Sequence, residues 1–379
     1  MLQSLKIENF RCFRSFELNN LGRINLLVGK NNSGKTSLLE AVQLFSSQFD
    51  LKSLAQLMSS RGEYLWENIK YSSDIIPVKT YEIEHLFYQH NLSAESQIKM
   101  MGIDNGSQGE LKILFEENFE ATNYTRTSRP EPISIDDISE LELIIQWTED
   151  NINSNVFKKF LVKKEKLILD QLRLEYKRIA KSKLAKIGVF IFPYSIDIST
   201  LNTLFDKIVL TSDEQLVINA LKILEPTIER IASVRQNQEN FRTGEKGGFL
   251  VKLSERQKPI PIGSMGDGIW RMLALVLAMV NVEGGILLVD EIDSGLHYTT
   301  MYDMWKIIWH TAKKLNIQVF ATTHNSDCWT SLANLICDEK ISEKDQEIRI
   351  HHIDKNKEAS ILFDESEIVI AAQRGIEIR

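Results

Sequence analysis

The chain has 379 residues, of which 43% are hydrophobic and 26% charged, so it can bury a large core and is not a disordered protein. The net charge of −7 excludes a basic character of the whole chain, so only a local basic region would favour nucleic acid. The three cysteines have no metal-binding spacing, the start "MLQSLKIENF" does not resemble a signal peptide, and no apolar run is long enough for a membrane. These features predict a cytoplasmic protein with reduced thiols and no membrane contact.

The first 50 residues are predicted to form three strands and a helix. Alternation of apolar and polar residues in "LKIENF" and "SFEL" predicts two paired strands. The apolar run "INLLVG" is typical of a buried parallel strand, and it leads directly into a glycine-rich loop. The following segment, "KTSLLEAVQLFSSQF", has apolar residues at helical spacing, so the loop is expected to lie between a strand and a helix.

The pattern changes between about Leu51 and Lys186. The segments "YEIEHLFYQ", "GELKILFEENF" and "LELIIQWTE" are predicted as strands separated by turn residues. The next stretch, "VFKKFLVKKEKLILDQLRLEYKRIAKSKLAKI", is predicted as one long helix or a helical pair. Residues 158–186 within it contain eleven Lys or Arg and three acidic residues, a net charge of about +8.

Alternating strand and helix patterns return after Gly188. The segments "VFIFPYS", "GGFLVKL", "GILLVDE" and "IQVFATT" are predicted as strands. The segment "SDEQLVINALKILEPTIERIASV" is predicted as a helix interrupted at Pro226, and a further helix is predicted from Thr299 to Leu315. The α/β pattern of the first and last parts of the chain is therefore expected to be split by the middle third.

A phosphate-binding loop is predicted at "GKNNSGKTS", because it follows a strand and opens a helix. Its glycines let backbone N–H groups surround a phosphate, Lys35 can reach the β- and γ-oxygens, and the Thr36 hydroxyl can hold Mg²⁺. The helix start adds a partial positive charge. The predicted nucleotide-binding residues are Gly29, Asn31, Asn32, Ser33, Gly34, Lys35, Thr36 and Ser37.

Two carboxylates follow the buried strand in "GILLVDEIDSGLH" and are predicted to face the same ligand. Asp290 is expected to hold Mg²⁺, and Glu291 to polarise the attacking water as general base. Asp293 is interpreted as a helix N-cap rather than a third metal ligand. His324 ends the strand of "VFATTHNSD" and is predicted to hydrogen-bond the γ-phosphate.

A second anion-binding turn is predicted at "SMGDGIWRML", more than two hundred residues after the phosphate loop. Ser264 offers a hydroxyl, Gly266 and Gly268 leave their N–H groups accessible, and a helix is expected to begin at Ile269. The chain thus has an early phosphate loop and, much later, a glycine turn that comes just before the carboxylate strand. This order of motifs resembles the layout of ABC-type ATPases. The resemblance implies that Ser264, Gly266, Asp267 and Gly268 form a signature motif that covers the ATP bound to a second copy, which gives two composite sites in a homodimer.

Further segments resemble particular ABC-type ATPases. The start "LKIENFRCFRSFEL" is similar to that of RecF, SMC and OLD-family proteins, which implies that Arg11 or Arg14 lies near the nucleotide. "DEIDSGLH" resembles the OLD-type carboxylate strand and implies that His297 approaches the dimer interface. The tail "IVIAAQRGIEIR" resembles stand-alone ATPases of the AAA15-like group.

The resemblance also implies an organisation and partners. The expected fold class is α/β: an ABC-type P-loop NTPase with N-terminal antiparallel strands, a mixed or parallel sheet flanked by helices, and an inserted α+β or helical arm. Its first ATPase part is expected at 1–55, the insert at 56–187 and the second ATPase part at 188–379. About fifty residues follow the His324 strand, too few for the Toprim nuclease domain of OLD proteins. We therefore expect a homodimer, or a higher assembly, that gates a separately encoded effector such as a Toprim-like nuclease in prokaryotic anti-phage defence.

Several alternatives stay open from the sequence. The basic segment 158–186 is either a solvated amphipathic arm, a contact for a nucleic acid backbone, or a dock for an acidic protein. The whole protein is alternatively a DNA-binding repair ATPase of RecF or SMC type. A third hypothesis is an ATP-bound scaffold that sequesters a nuclease or toxin with little turnover.

Overall fold

The computed structural model describes residues 1–48, 51–71, 74–92, 96–117, 138–150, 153–162, 166–168, 188–191, 198–234, 248–341 and 347–378. The chain forms two compact units. Unit 1 contains Met1–Asn20, Glu40–Lys186 and Asp354–Ser360, and unit 2 contains Leu21–Leu39, Ile187–Ile353 and Ile361–Arg379. The domain boundaries expected at residues 55 and 187 stay a prediction.

The described strands and helices are numbered separately in chain order. The strands are β1 (Leu2–Phe10), β2 (Phe13–Leu18), β3 (Ile24–Val28), β4 (Tyr64–Tyr71), β5 (Asp74–Glu82), β6 (Gln97–Asp104), β7 (Ser107–Glu117), β8 (Ile138–Glu149), β9 (Asn153–Val162), β10 (Lys166–Ile168), β11 (Gly188–Ile191), β12 (Ile228–Val234), β13 (Gly248–Leu253), β14 (Ile260–Pro261), β15 (Ile286–Val289), β16 (Gln318–Thr322), β17 (Ile348–His352) and β18 (Ile361–Phe363). The helices are α1 (Lys35–Ser46), α2 (Leu51–Ser60), α3 (Ile198–Asp206), α4 (Ser212–Leu224), α5 (Asp267–Val280), α6 (Tyr298–Lys314), α7 (Ser326–Asp338) and α8 (Glu365–Arg374).

Unit 1 is built on one antiparallel sheet with the strand order β2-β1-β6-β7-β8-β9-β10-β5-β4. The predicted pair β1 and β2 is confirmed, and β1 also pairs with β6, a strand of the insert. Two glycines of this sheet make room for aromatic rings of unit 1. A Cβ at Gly102 would lie 2.8 Å from the ring of Phe45, and one at Gly109 would lie 2.8 Å from the ring of Trp147. These two rings pack edge to face with centroids 5.1 Å apart.

Two expectations for the insert are wrong in its described residues. The predicted strand "YEIEHLFYQ" is a strand only as far as Glu82, because Ile83–Leu86 and Tyr88–His90 form short 3₁₀ turns. The predicted basic helix over 158–186 is a strand in its described parts, β9 and β10. The aromatic and β-branched run "VFKKFLV" pairs with β8, which explains why strand pairing prevails there over helical spacing. Residues 163–165 and 169–187 lie outside the described residues.

Unit 2 contains a six-stranded sheet with the order β11-β15-β16-β3-β17-β18. Its neighbouring strands run parallel, except that β18 is antiparallel to β17. β16 lies between β15 and β3, so the carboxyl ends of these three strands meet at one edge. Ligands of open α/β sheets bind at this edge, and the sheet therefore brings the predicted motifs together.

A second, three-stranded antiparallel sheet in unit 2 has the order β12-β13-β14. The helix predicted on both sides of Pro226 is confirmed only before it, as α4. Proline removes a helical hydrogen bond, and the residues after it form β12, in which Ile228 and Ile231 are buried. Helix α2 in unit 1 was not predicted from the sequence.

The core of unit 2 surrounds α5, a helix whose residues from Met272 to Met279 are all essentially inaccessible to solvent. Burial of each of these aliphatic side chains stabilises the folded state by roughly 1.5–3 kcal/mol, so the position of this helix in the core is strongly favoured. Trp305 of α6 is also fully buried, and its indole N–H donates to the carbonyl of Cys328 at 2.9 Å. Among the described helices, none combines the length and the apolar character needed to cross a membrane. The expected α/β class is confirmed, with a described insert that is mainly strand rather than helix.

Candidate nucleotide site

The phosphate loop joins β3 to α1, as the sequence predicted. Gly29 has φ 143°, and a Cβ at this position would lie 2.5 Å from the carbonyl oxygen of Ile353, so only glycine fits. The first N–H groups of α1 have no intrahelical acceptor, and they point out of the helix start at Lys35. The loop therefore provides the backbone donors that bind a phosphate.

The Lys35 ammonium lies within this loop. Its Nζ donates to the carbonyl oxygens of Gly29 at 2.8 Å and Lys30 at 2.9 Å. Burial lowers the pKa of Lys35, while the negative charges of Asp290 and Glu291 act to raise it. Lys35 thus places a positive charge between the loop and the two carboxylates at the end of β15.

The Asp290 carboxylate connects the ends of the strands to α1. Its Oδ2 accepts a hydrogen bond from the Thr36 hydroxyl at 2.9 Å, and its Oδ1 accepts one from the Thr322 hydroxyl at 2.5 Å. Asp290 is buried, at 8% exposure, so these hydrogen bonds fix its orientation. The two predicted metal ligands, Thr36 and Asp290, are therefore in direct contact.

Glu291, the residue after Asp290, has an unusual backbone conformation. Its φ is +47°, a left-handed value that costs a residue other than glycine about 1–3 kcal/mol. The Glu291 N–H donates to Thr322 Oγ1 at 2.8 Å, and the next N–H, of Ile292, donates to the Thr322 carbonyl at 3.0 Å. Surrounding hydrogen bonds thus hold the strained residue, as is typical of functional sites.

Thr323 and Asp293 form a second contact at this edge. The Thr323 hydroxyl donates to Asp293 Oδ1 at 2.7 Å and accepts the Asn325 N–H at 3.0 Å. The N-cap role predicted for Asp293 is wrong, because α6 begins only at Tyr298 and its N-cap is His297. His324 is exposed and follows Thr323, and its phosphate contact stays a prediction.

The signature turn lies directly before α5. Gly266 has φ 101° and is followed by α5, which begins at Asp267 rather than at the predicted Ile269, so Gly268 is inside the helix. Ser264 is exposed, and its hydroxyl donates to the carbonyl of Pro261 at 2.6 Å. Gly266 and Asp267 are exposed as well.

Arg271 and the two threonines are site residues that the sequence did not indicate. Arg271 is only 4% exposed, and its Nη2 donates to the carbonyls of Asp290 and Glu291, both at 3.1 Å. Thr322 and Thr323 end an apolar strand, and hydroxyl residues at a strand end next to a carboxylate strand are the signal that would have pointed to them.

Arg11, predicted to lie near the nucleotide, is buried in unit 1. Its Nε donates to Glu40 at 3.0 Å, and its Nη1 donates to Glu63 and to the carbonyl of His85. Nη2 is also buried and has no hydrogen-bond partner among the described residues. Burial raises the pKa of Glu40, whereas the nearby arginines act to lower it. A nucleotide contact of Arg11 stays a prediction, and Arg14 is exposed on β2.

The residues present fit a phosphate and a divalent metal. Ser33 Oγ is buried and has no hydrogen-bond partner in the part of the chain that the structure describes, as expected of a group that binds a phosphate oxygen. A hydroxyl and a carboxylate, from Thr36 and Asp290, are the hard oxygen donors that Mg²⁺ prefers. Asn31 and Asn32 are exposed on the same loop, and Ser37 is buried in the first turn of α1.

Comparison with known proteins identifies the family of the chain. The chain matches the family model AAA_15, described as an AAA ATPase domain, in two overlapping segments, residues 1–127 and 47–328. It is 23% identical to a protein named ATP/GTP phosphatase from Helicobacter pylori over 358 residues, which cover 91% of this chain and 90% of that protein. It is also 44% identical over 45 residues to the DNA replication and repair protein RecF of Clostridioides difficile, 12% of each chain.

Among solved structures, an SMC head domain with an extended coiled coil, bound to the C-terminal domain of ScpA and derived from Pyrococcus furiosus, aligns over 99% of both chains. Its sequence identity is 10% and its TM-score 0.46, and the family assignment does not depend on it. The family model covers most of the chain and confirms the resemblance predicted from the motifs. The protein therefore belongs to the AAA_15 family of ATPase domains.

Proposed function

We propose that this ATPase holds ATP and Mg²⁺ on its phosphate loop and hydrolyses the γ-phosphate with Glu291 as general base. The observation that carries the proposal is the hydrogen-bond network around Thr322. One hydroxyl contacts both Asp290 and the backbone of Glu291, while Asp290 also contacts Thr36. The carboxylate of Asp290 and the backbone of Glu291 are thereby held in one hydrogen-bond network that reaches the start of the phosphate-binding helix.

The residues of the loop bind and orient the nucleotide. Loop N–H groups and the Lys35 ammonium neutralise the phosphate oxygens, and Ser33 Oγ offers a further hydrogen bond. Thr36 and Asp290 hold Mg²⁺, which stabilises negative charge on the phosphates when bound. Glu291, which is half-buried, accepts the proton of the attacking water, an effect of about 10²- to 10⁴-fold in rate. His324 hydrogen-bonds the γ-phosphate and responds to its loss.

The nucleotide site is completed by a second copy of the chain. Ser264, Gly266 and Asp267 are exposed at the start of α5, where the helix dipole adds positive potential for an anion. In a two-fold symmetric dimer each copy presents this turn to the nucleotide of the other, which gives two equivalent sites. ATP binding then closes the dimer, and hydrolysis opens it.

Closure gates a separately encoded effector in a prokaryotic cytoplasm, and we infer a role in anti-phage defence with a Toprim-like nuclease as the effector class. This inference rests on the resemblance of the motifs to defence ATPases. The DNA-binding alternative is supported by the short match to RecF, which covers 12% of the chain. It predicts ATP-dependent duplex binding that weakens steeply with salt. Charge reversal of Lys158, Lys159, Lys163, Lys164 and Lys166 separates the two, because it abolishes duplex binding only under the alternative.

The variant Glu291→Gln tests the proposed function. It removes the base but leaves Asp290 and Thr36 in place, so ATP binding is retained and phosphate release falls by at least about 10²-fold. Because hydrolysis no longer opens the dimer, size-exclusion chromatography with ATP and Mg²⁺ is expected to show a stable dimer.

The matched control is Glu283→Gln, the same chemical change at an exposed residue of unit 2. Wild-type turnover in Glu291→Gln would show that Glu291 is not the base. Low turnover of the wild-type protein, unchanged by Glu291→Gln, would instead support the scaffold hypothesis.

A further inference from the structure

Arg271 links two parts of unit 2 that have separate roles in the proposed function. It lies one helical turn after Asp267, where α5 begins, and thus one turn after the signature turn. Its Nη2 contacts the carbonyl oxygens of Asp290 and Glu291, both at 3.1 Å. A single buried guanidinium group therefore connects the start of α5 to the residues that follow β15.

The negative charges around Arg271 oppose the effect of its burial. Burial lowers the pKa of Arg271, and three carboxylates, those of Asp293, Glu291 and Asp290, act in the opposite direction. A buried arginine is retained only where hydrogen bonds and opposite charges compensate its desolvation. Here two backbone carbonyls accept hydrogen bonds from the guanidinium group, so the group is bound to the backbone of the proposed catalytic segment.

Packing reinforces the connection between the two segments. A Cβ at Gly268 would lie 3.5 Å from Leu296, and one at Gly295 would lie 3.7 Å from the Cβ of Asp267. The loop after Glu291 thus lies against the first turn of α5. A displacement of this turn changes the surroundings of Glu291 through these contacts as well as through Arg271.

The backbone of Glu291 is sensitive to such a displacement. Its left-handed φ of +47° is held by the N–H bond to Thr322 on one side and by the Arg271 bond to its carbonyl on the other. These two bonds fix both peptide planes that flank Glu291, and hence the direction of its side chain. Loss of Arg271 removes the hydrogen bond to the carbonyl group of each plane and leaves the planes held by the N–H bonds of Glu291 and Ile292 to Thr322, which weakens the restraint on Glu291.

We propose that Arg271 is a positioning residue that makes the orientation of Glu291 depend on the placement of α5. The inference rests on the proposed function, in which the turn before α5 covers the nucleotide of a second copy. Each copy then has a correctly oriented base only when its own signature turn is engaged, so hydrolysis at the two sites of the dimer is coupled.

The variant Arg271→Lys tests the inference, because one ammonium keeps the charge but lacks the planar donor geometry of guanidinium. We expect kcat to fall 10- to 100-fold while the KM for ATP changes less than about threefold, since Arg271 acts on the base and not on the nucleotide. The control is Arg349→Lys at another buried arginine of unit 2, 5% exposed and paired with Glu365. It is expected to lower the melting temperature but to keep kcat.

The double variant Arg271→Lys/Glu291→Gln distinguishes positioning from a general structural effect. If Arg271 acts through Glu291, single-turnover hydrolysis by the double variant equals that of Glu291→Gln alone, and ATP-dependent dimerisation is retained. The same fold loss in both backgrounds, or a kcat of Arg271→Lys within twofold of wild type, would overturn the inference. Wild-type turnover in Glu291→Gln would overturn the proposed function itself, so the two failures are distinguishable.

Discussion

Replacement of Thr322 by valine removes the hydroxyl at the centre of the site with almost no change in side-chain volume. The hydroxyl donates to the buried carboxylate of Asp290 at 2.5 Å and accepts the N–H of Glu291 at 2.8 Å. A hydrogen bond to a charged group contributes about 1.5–3 kcal/mol and a neutral one about 0.5–1.5 kcal/mol. We therefore expect Thr322→Val to lower the free energy of unfolding of unit 2 by about 2–4 kcal/mol. Turnover should fall roughly 10- to 100-fold, the range typical of residues that orient a metal ligand.

Hydrogen exchange of peptides from β15 and β16 in urea, in the absence of nucleotide, measures the stability of this unit, and phosphate release at saturating ATP measures kcat. Thr203→Val is the matched control, because Thr203 is exposed on α3 and its hydroxyl donates to the preceding turn, at the carbonyl of Ser199. The control is expected to stay within about 0.5 kcal/mol of wild type. If Thr322→Val keeps both the stability and the turnover of the wild type, the network around Thr322 does not organise the site.

Two further predictions concern the metal and pH. Thr36→Ala removes one of the two proposed Mg²⁺ ligands, so the Mg²⁺ concentration for half-maximal turnover should rise about tenfold or more. Phosphate release measured over a range of Mg²⁺ concentrations gives this midpoint, and an unchanged midpoint would contradict the assignment of Thr36 as a ligand. Burial lowers the pKa of His351 to about 3, and the positive charge of Arg349 adds to the effect. Below about pH 6.5, therefore, His351 takes up a proton in the unfolded chain but not in the folded chain. Stability should therefore fall by about 2 kcal/mol between pH 7.5 and pH 5, and His351→Gln should remove this part of the pH dependence in urea unfolding.

The sequence predicted those parts of the site whose spacing is set by local geometry. The phosphate loop lies between β3 and α1 because a continuous apolar strand and an amphipathic helix flank it in the sequence. Asp290 contacts Thr36 because β15 and β3 end at the same edge of the sheet. The rule that ligands of open α/β sheets bind at the carboxyl ends of the strands was sufficient for both predictions.

The remaining features depend on contacts between distant segments. Arg271 has the spacing of an ordinary helix residue, and only the packing of α5 against the end of β15 brings it to two carbonyl groups. The basic segment "VFKKFLV" has apolar residues compatible with a helix, but the neighbouring β8 offers an edge with which it pairs. The residues after Pro226 likewise form β12 because β13 is available as a partner.

The central claim is that the signature turn of one copy covers the phosphate loop of another, and site-specific cross-linking tests it most directly. Ser264→Cys and Asn31→Cys place single thiols at exposed residues of the two motifs, in separate Glu291→Gln chains whose Cys12 and Cys337 are changed to serine. We expect a short bismaleimide to link the two different chains when they are mixed with ATP and Mg²⁺, and not without nucleotide. Absence of this product in mixtures that bind ATP would contradict the account. A third variant that carries both thiols in one chain is the second test, and a cross-link that forms within that chain but not between chains would also contradict the account.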